Sequence, residues 1–437
     1  MILDLLFGVL GLICLLGIAY LFSGDRKKID WRLVGTGILL QIIFAVFVLK
    51  VPGGELIFNT LSRFFVTIIS FTFQGASFVF GFLSSQSSTE KILPPDLQNK
   101  GFGFVFAFQV LPTIIFFSSL MSVLYHLGIM QKVVQAMAWV MAKALRVSGA
   151  ESLSVAANVF IGQTEAPLVI RPYVSTMTQS ELLTLMIGGM ATIAGGVLAA
   201  YVNILGGPDP QMQIFYAKHL LTASIMAAPA TMVIAKILLP EKDLPETKGT
   251  VKLKVEKTTT NVIDAAATGA GDGLKLALNV AAMLLAFIAL IAMLNYILSG
   301  LGHFTGINSV LGKPLSLNFL LGYLLSPIAW IIGVPWSDAV TVGSLIGQKV
   351  VLNEFIAYVD LGSLIQNGVL SDKARIISTY ALCGFANFSS IAIQIGGIGG
   401  IAPNRRHDLA RFGLRAVLGG SLATFMTATI AGFLTSL

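Results

Sequence analysis

Long apolar stretches alternate with short polar ones along the whole chain, and the spacing predicts helices of membrane-crossing length. Residues 2–23 read as a first span, retained rather than cleaved, since no basic region precedes the apolar run. Asp25-Arg26-Lys27-Lys28 and Arg32 follow and mark a cytoplasmic loop. Residues 33–51 form a second span. The stretch 53–85 differs. It carries Phe58, Phe64, Phe65, Phe71, Phe73, Phe78, Phe80 and Phe82, with Glu55, Asn59 and Arg63 at helical spacing. That pattern predicts a helix lying in the interface or packing on other subunits rather than a clean span. Residues 86–101 read as a loop, and 102–127 as a third span carrying Pro112. Residues 128–146 are amphipathic and basic, which predicts a cytoplasmic interfacial helix.

The polar positions then become more informative. Residues 150–175 hold Glu165, Pro167 and Pro172 and too many polar groups for a lipid-facing span. A re-entrant hairpin fits, because irregular backbone at membrane depth is tolerated only around a polar cavity. Residues 180–205 form a span broken at Thr192-Ile193-Ala194-Gly195-Gly196, and 213–239 another that ends before Pro240. Residues 240–258 are the most polar stretch and separate two halves. The second half repeats the order of the first. A long span covers 270–300 and a helix covers 315–333. A hairpin at 335–367 holds Glu354, and a helix at 372–397 breaks at Asn387-Phe388-Ser389-Ser390. The basic turn Asn404-Arg405-Arg406 precedes a last span at 408–437. Placing 24–32, 128–146, 240–258 and 404–411 together in the cytoplasm makes the second half start on the opposite side from the first. This is an inverted-topology repeat with both termini periplasmic. The segment Asp372-Lys373-Arg375 fits it least well, because Lys373 and Arg375 are basic residues left outside.

Composition agrees with a membrane chain. Of 437 residues, 55% are hydrophobic and 11% charged, against roughly 25% charged in soluble domains; mean hydropathy is +0.85. That length allows roughly eight to eleven spans. The net charge of +7 is gathered in a few loops, so it reports orientation in the membrane and not binding of nucleic acid. Cys14 and Cys383 fall in apolar helices and suggest neither a disulfide framework nor a metal site. Gly397-Ile398-Gly399-Gly400 matches a dinucleotide fingerprint by spelling but sits at the end of a membrane helix. Gly306 to Lys313 likewise lacks the spacing and the Ser or Thr of a phosphate loop.

Glu165 and Glu354 are the candidate chemistry. An ionisable group at bilayer depth is costly, and it usually faces a polar path. Each carboxylate has polar neighbours, Gln163 and Thr164 in one case and Asn353 in the other. Each is followed by a broken helix that supplies small or hydroxyl residues. Half-helix ends offer free carbonyls for a cation and free amides for oxygen atoms. A neutral, hydroxyl-rich, partly aromatic solute suits two carboxylates better than an anion does. Structural alternatives stand beside this reading: Glu165 paired with Arg171, Glu354 with Lys349, Thr192 and Ser390 as small packing residues, and Phe385 as core. An intramembrane enzyme using the two carboxylates as an acid–base pair, and a passive channel, are the competing functional classes. No nucleophile or metal centre accompanies the carboxylates in the sequence.

At these residues the chain resembles the concentrative nucleoside transporters. The resemblance is carried by Gly162-Gln163-Thr164-Glu165-Ala166-Pro167, by Gly347 through Tyr358, by Cys383-Gly384-Phe385-Ala386-Asn387-Phe388-Ser389-Ser390, and by Gly333-Val334-Pro335-Trp336. It implies an all-α polytopic protein with eight transmembrane helices, two re-entrant hairpins, interfacial helices and an inverted repeat, working as an elevator within a homotrimer. Residues 1–101 would be scaffold helices and the interfacial helix. Residues 102–239 would hold the third span, also scaffold, and then the first repeat of the transport domain. Residues 240–271 would be a cytoplasmic linker and connecting helix. Residues 272–437 would hold the sixth span, again scaffold, and then the second repeat. Substrate contacts carry over to Gln163, Thr164, Glu165, Val197, Glu354, Phe385, Asn387 and Ser390. A sodium site carries over to Asn158, Ile161, Thr192 and Ile193, largely through backbone carbonyls; Thr192 stands where related members have Ser and keeps the hydroxyl. The implied function is sodium-coupled import of a nucleoside such as uridine across a bacterial inner membrane, with a proton as the alternative coupling ion and no enzymatic activity.

Overall fold

The computed structural model describes residues 2–94, 103–249 and 259–435. Residues 95–101 of the expected loop, residue 102, residues 250–258 of the linker, and 436–437 of the last span lie outside these, as does residue 1. Every named element among the described residues is helical; the one β-type contact is an isolated bridge, Ser148 with Lys248.

Each apolar run becomes a helix, with short polar residues as caps. Helices α1 (Ile2–Leu21), α2 (Trp31–Lys50) and α3 (Pro52–Phe80) come first. Asp30 caps α2 by accepting from the backbone of Arg32 and Leu33. After the short α4 (Gln86–Glu90) and α5 (Phe106–Gln109) come α6 (Leu111–His126) and α7 (Ile129–Leu145). The first hairpin is α8 (Gly149–Asn158), then α9 (Ala166–Val169) and α10 (Arg171–Val174). A broken span follows as α11 (Gln179–Ala191) and α12 (Gly195–Gly206), then α13 (Pro210–Leu238). Beyond the linker stands α14 (Val262–Phe304), longer at both ends than the expected 270–300, then α15 (Ile307–Leu311) and α16 (Leu317–Ile331). The second hairpin is α17 (Trp336–Val351) with α18 (Glu354–Gln366). The chain closes with α19 (Asp372–Ala381), α20 (Phe388–Ile401) and α21 (Arg406–Thr435). Helices α16 and α17 meet at a bend of 116°. Gly333 makes this turn with φ +104°, a conformation that a side chain would strain.

Eight helical stretches among the described residues are long and apolar enough to cross a membrane. Length and composition alone select them, and Pro52–Glu90, read from the sequence as an interfacial or subunit-packing helix, is among them. Its acidic residue Glu55 lies in the first turn of α3 and pairs with Lys218 at 3.1 Å, which leaves a long apolar remainder. The broken helix at 372–401 is not among them, because its halves are too short to qualify separately.

The basic loops share one end of the molecule. Lys242 pairs with Asp25 at 2.8 Å, and the backbone of Gly24 donates to Leu238. Gly149 donates to Thr247, and Arg405 reaches the carbonyl of Met177. At the other end Lys373 pairs with Asp4 at 2.8 Å and Arg375 with Asp372 at 3.0 Å. The basic residues that fitted the orientation least well are therefore neutralised by acidic partners. The two halves run in opposite directions between these ends. Helices α8 and α11 start at the basic end, whereas α17 and α19 start at the other, where Ser371 donates to Asp338 at 2.5 Å. Helix α13 ends at the basic end and α21 begins there. The inverted repeat is thus present in three dimensions.

Burial separates two groups of helices. Helices α11, α13 and α21 pack on one another and are almost wholly buried. Helix α6 packs along α14, where Gly269 and Gly273 allow close approach to Ser118, Ser122 and Ile115. The remaining faces of α3 and α14 expose Phe64, Phe78, Leu285, Tyr296 and Phe304.

Candidate substrate and ion site

Four interruptions in the helices converge. They are the first hairpin tip at 159–165, the break at 192–194, the second tip at 352–353, and the break at 382–387. Hydrogen bonds join them in a closed set. The backbone of Gly195 donates to Phe160 at 3.0 Å, tying the first tip to the first break. Gln163 Nε2 donates to Ser390 Oγ at 3.1 Å, tying it to the second break. Asn387 Nδ2 donates to Glu354 Oε2 at 2.8 Å, and Tyr201 OH donates to Glu354 Oε1 at 3.1 Å. Chain-breaking residues make this possible: where the backbone leaves the helix, side chains and half-helix ends point inward together.

Local capping sets the geometry of the second half. Asn353 caps α18 by accepting from Ile356, which makes Glu354 the first helical residue and puts its carboxylate at the positive end of the helix dipole. Asn387 caps α20 with Oδ1, which accepts from the backbone of Ser390 at 2.9 Å and from Ser389 Oγ at 2.7 Å. Its Nδ2 therefore has to face Glu354. In the first half the starts of α9 and α12, at Glu165 and Ala194, carry no side-chain cap.

All eight substrate-contact candidates, Gln163, Thr164, Glu165, Val197, Glu354, Phe385, Asn387 and Ser390, line one cavity of about 500 Å³. It extends between α6 and α14 to His126, Gln131 and Thr259, beside the basic linker. His126 Nδ1 and Thr259 Oγ1 lie 2.7 Å apart there. Glu354 is buried, while Glu165 stands open to the cavity. The structural alternatives for the carboxylates are not realised: among the described residues neither Glu165 nor Arg171 has an ion-pair partner, and Lys349 bonds elsewhere than Glu354.

The four ion-site candidates lie to one side of this pocket. Ile161 lines the cavity, whereas Asn158, Thr192 and Ile193 are buried behind its wall. Asn158 Nδ2 donates to Ser154 at 3.0 Å, and among the described residues Asn158 Oδ1 is buried with no hydrogen-bond partner. Thr231 Oγ1, on α13, is buried and unpartnered as well. Gly188 joins them: a Cβ built there would lie 3.5 Å from Asn158 Nδ2 and 3.7 Å from Thr231 Cγ2, and its carbonyl accepts from Thr192 Oγ1 at 2.8 Å. Buried acceptors left unpaired are rare, because each forfeits its hydration. Neutral oxygens left unpaired on neighbouring helices suit a hard cation.

Comparison with known proteins decides the family. Residues 10–83 match the description "Na+ dependent nucleoside transporter N-terminus", and 219–432 match "Na+ dependent nucleoside transporter C-terminus". Residues 107–208, between them, match "Nucleoside recognition". The nucleoside permease NupC of Helicobacter pylori is 40% identical over 435 residues, spanning 99% of this chain and 98% of that one. The chain belongs to the concentrative, Na+ dependent nucleoside transporter family. An uncharacterized transporter of Bacillus subtilis, YutK, is 46% identical over 98% of this chain and 99% of its own length. A solved structure described as CNTnw in an inward-facing, substrate-bound state superposes with TM-score 0.88 at 46% identity, covering 99% of both chains.

Sequence reading missed several residues of this nucleoside transporter's site. Gln394 Nε2 donates to Gln163 Oε1 at 3.0 Å and to the carbonyl of Met186 at 2.9 Å, which fixes the amide orientation of Gln163. Gly189 makes room for this pair, since a Cβ there would come within 2.8 Å of both. Tyr201, the hydroxyl donor to Glu354, stacks on Tyr358 at 4.0 Å. Two signals were available: Gln394 is a lone amide in an apolar, glycine-rich helix, and Tyr201 lies one helical turn after Val197.

Proposed function

We propose that this transporter imports nucleosides by symport with sodium across a bacterial inner membrane. The carrying observation is the buried Glu354 carboxylate, held at the cavity wall by Tyr201 and Asn387. A carboxylate fixed by two donors still has lone pairs free for vicinal hydroxyls of a ribose. Gln163, Thr164 and Glu165 face it across the cavity with amide, hydroxyl and carboxylate groups suited to base edges, and Phe385 offers a ring face. Val197 packs beside the solute. Asn387 and Ser390 position the acceptors. Sodium travels as a co-substrate at Asn158, Thr192 and the carbonyls of Ile161 and Ile193; the unpartnered oxygens of Asn158 and Thr231 support this placement.

The cavity's reach toward the basic end corresponds, by the positive-inside rule, to an inward-facing state. Helices α1–α3, α6 and α14 form the scaffold and hold a homotrimer. The two inverted repeats form the transport domain, which moves as an elevator. The test is uptake of labelled uridine into proteoliposomes under an inward sodium gradient, an inward proton gradient, or none. Accumulation driven by sodium is expected. Accumulation driven by protons alone would reassign the ion, and uptake that stops at equal concentrations would leave a passive pore.

A further inference from the structure

Lys349 is wholly buried near the end of the first arm of the second hairpin. Its Nζ donates to the carbonyl of Ala381 at 2.8 Å and to Thr424 Oγ1 at 2.9 Å. The Thr424 hydroxyl spends its own proton on Ser421 O, and a carbonyl only accepts, so both contacts require donation from Nζ. The ring of Phe425 lies 5.7 Å away and offers a face to a positive charge.

The inverted repeat gives this arrangement a counterpart. In the first half, the last residue of the hairpin arm α8 is Asn158, the end of α11 supplies the Gly188 carbonyl and Thr192, and the following long helix α13 supplies Thr231. In the second half, the last turn of α17 supplies Lys349, the last residue of α19 supplies the Ala381 carbonyl, and the following long helix α21 supplies Thr424. The same three kinds of element meet in both places. They differ in how their oxygens are satisfied. Asn158 Oδ1 and Thr231 Oγ1 are buried without partners, whereas Ala381 O and Thr424 Oγ1 both accept from one amino group.

We propose that the Lys349 ammonium is a tethered cation, standing in the second repeat where the first repeat binds its mobile coupling ion. This rests on the reading of Asn158 and Thr192 as the ion site. A buried charge persists only when paired or well hydrogen-bonded. Within the second hairpin, Lys349 holds its amino group on Ala381 O and Thr424 Oγ1, where its charge acts on Glu354 through space. In the first hairpin, Glu165 has no bonded basic group among the described residues, and a cation must arrive from solution. The transporter therefore couples one mobile cation to each nucleoside, and Lys349 is the positioning residue that sets this ratio.

The experiment measures charge moved per labelled uridine in voltage-clamped proteoliposomes under a sodium gradient. The unaltered protein is expected to move one cation per uridine. Lys349→Asn gives the second site a carboxamide oxygen like that of Asn158. It is expected to double the charge per uridine and to steepen the sodium dependence. Lys349→Arg, which keeps the tethered charge, is expected to keep the original ratio. An active Lys349→Asn protein with an unchanged ratio and sodium curve would overturn the proposal. So would two cations per uridine in the unaltered protein, a result that decides the matter even where Lys349→Asn does not fold. Absence of any cation-driven accumulation by the unaltered protein would overturn the symport reading first, and this proposal with it.

Discussion

Replacing Glu354 by Gln isolates the charge of the second hairpin from its shape. Two donors hold the carboxylate, Tyr201 OH at 3.1 Å and Asn387 Nδ2 at 2.8 Å. Asn387 cannot turn over, because its Oδ1 caps α20 and accepts from Ser390 and Ser389. The glutamine must therefore direct its carbonyl oxygen at Asn387 and its NH₂ at Tyr201, whose hydroxyl rotates to accept. The local network survives, and melting in detergent should shift by a few degrees at most. What disappears is a charged acceptor for a ribose hydroxyl. Hydrogen bonds to charged groups contribute about 1.5–3 kcal/mol against about 1 kcal/mol for neutral ones. The difference of about 1–2 kcal/mol predicts uridine binding weakened roughly 5- to 30-fold. Equilibrium binding of labelled uridine to purified protein, alongside a melting curve, measures both quantities. Unchanged affinity would remove Glu354 from the substrate contact. A collapsed melting temperature would show that the network itself needs the charge.

Three further outcomes follow from the geometry. Asn158→Ala removes a buried oxygen that has no protein partner; half-saturation for sodium in uptake should rise about tenfold or more, on the scale of one contact to a charged group, with uridine binding retained at high sodium. Lys236→Met leaves Glu151 and Glu241, paired with Lys236 at 2.8 and 3.3 Å, without their cation at the buried base of the transport helices. Stability should fall by about 3–5 kcal/mol, read as an earlier thermal transition. The Lys242 ammonium beside Asp25 holds that carboxyl below its ordinary value of 3.8. A depressed acid contributes its stability above the ordinary value and loses it as pH falls through the lowered one. Cross-linking between cysteines at 25 and 242 would destroy the pair, so proteolysis of the linker is the better assay; cleavage should accelerate in acid and be fast at neutral pH in Asp25→Asn.

Much of this molecule can be read from order and spacing. Apolar runs of span length, basic loops gathered on one side, and Glu165 and Glu354 in matching places are properties of the chain itself, because a bilayer enforces helix length and penalises charge locally. How 53–85 sits against the membrane was less legible, since its eight phenylalanines and scattered polar groups suit either an interfacial or a spanning helix. The partners of the site residues were hidden for a different reason. Gln163 meets Gln394 across 231 positions, and Glu354 meets Tyr201 across 153; no local pattern encodes a contact that forms only when two inverted repeats interlock. The sequence alone therefore determined the class of protein, the two halves and the residues able to do chemistry. Only the tertiary structure decided which oxygens are satisfied and which stay open, because hydrogen-bond pairing between distant helix breaks depends on how the repeats pack.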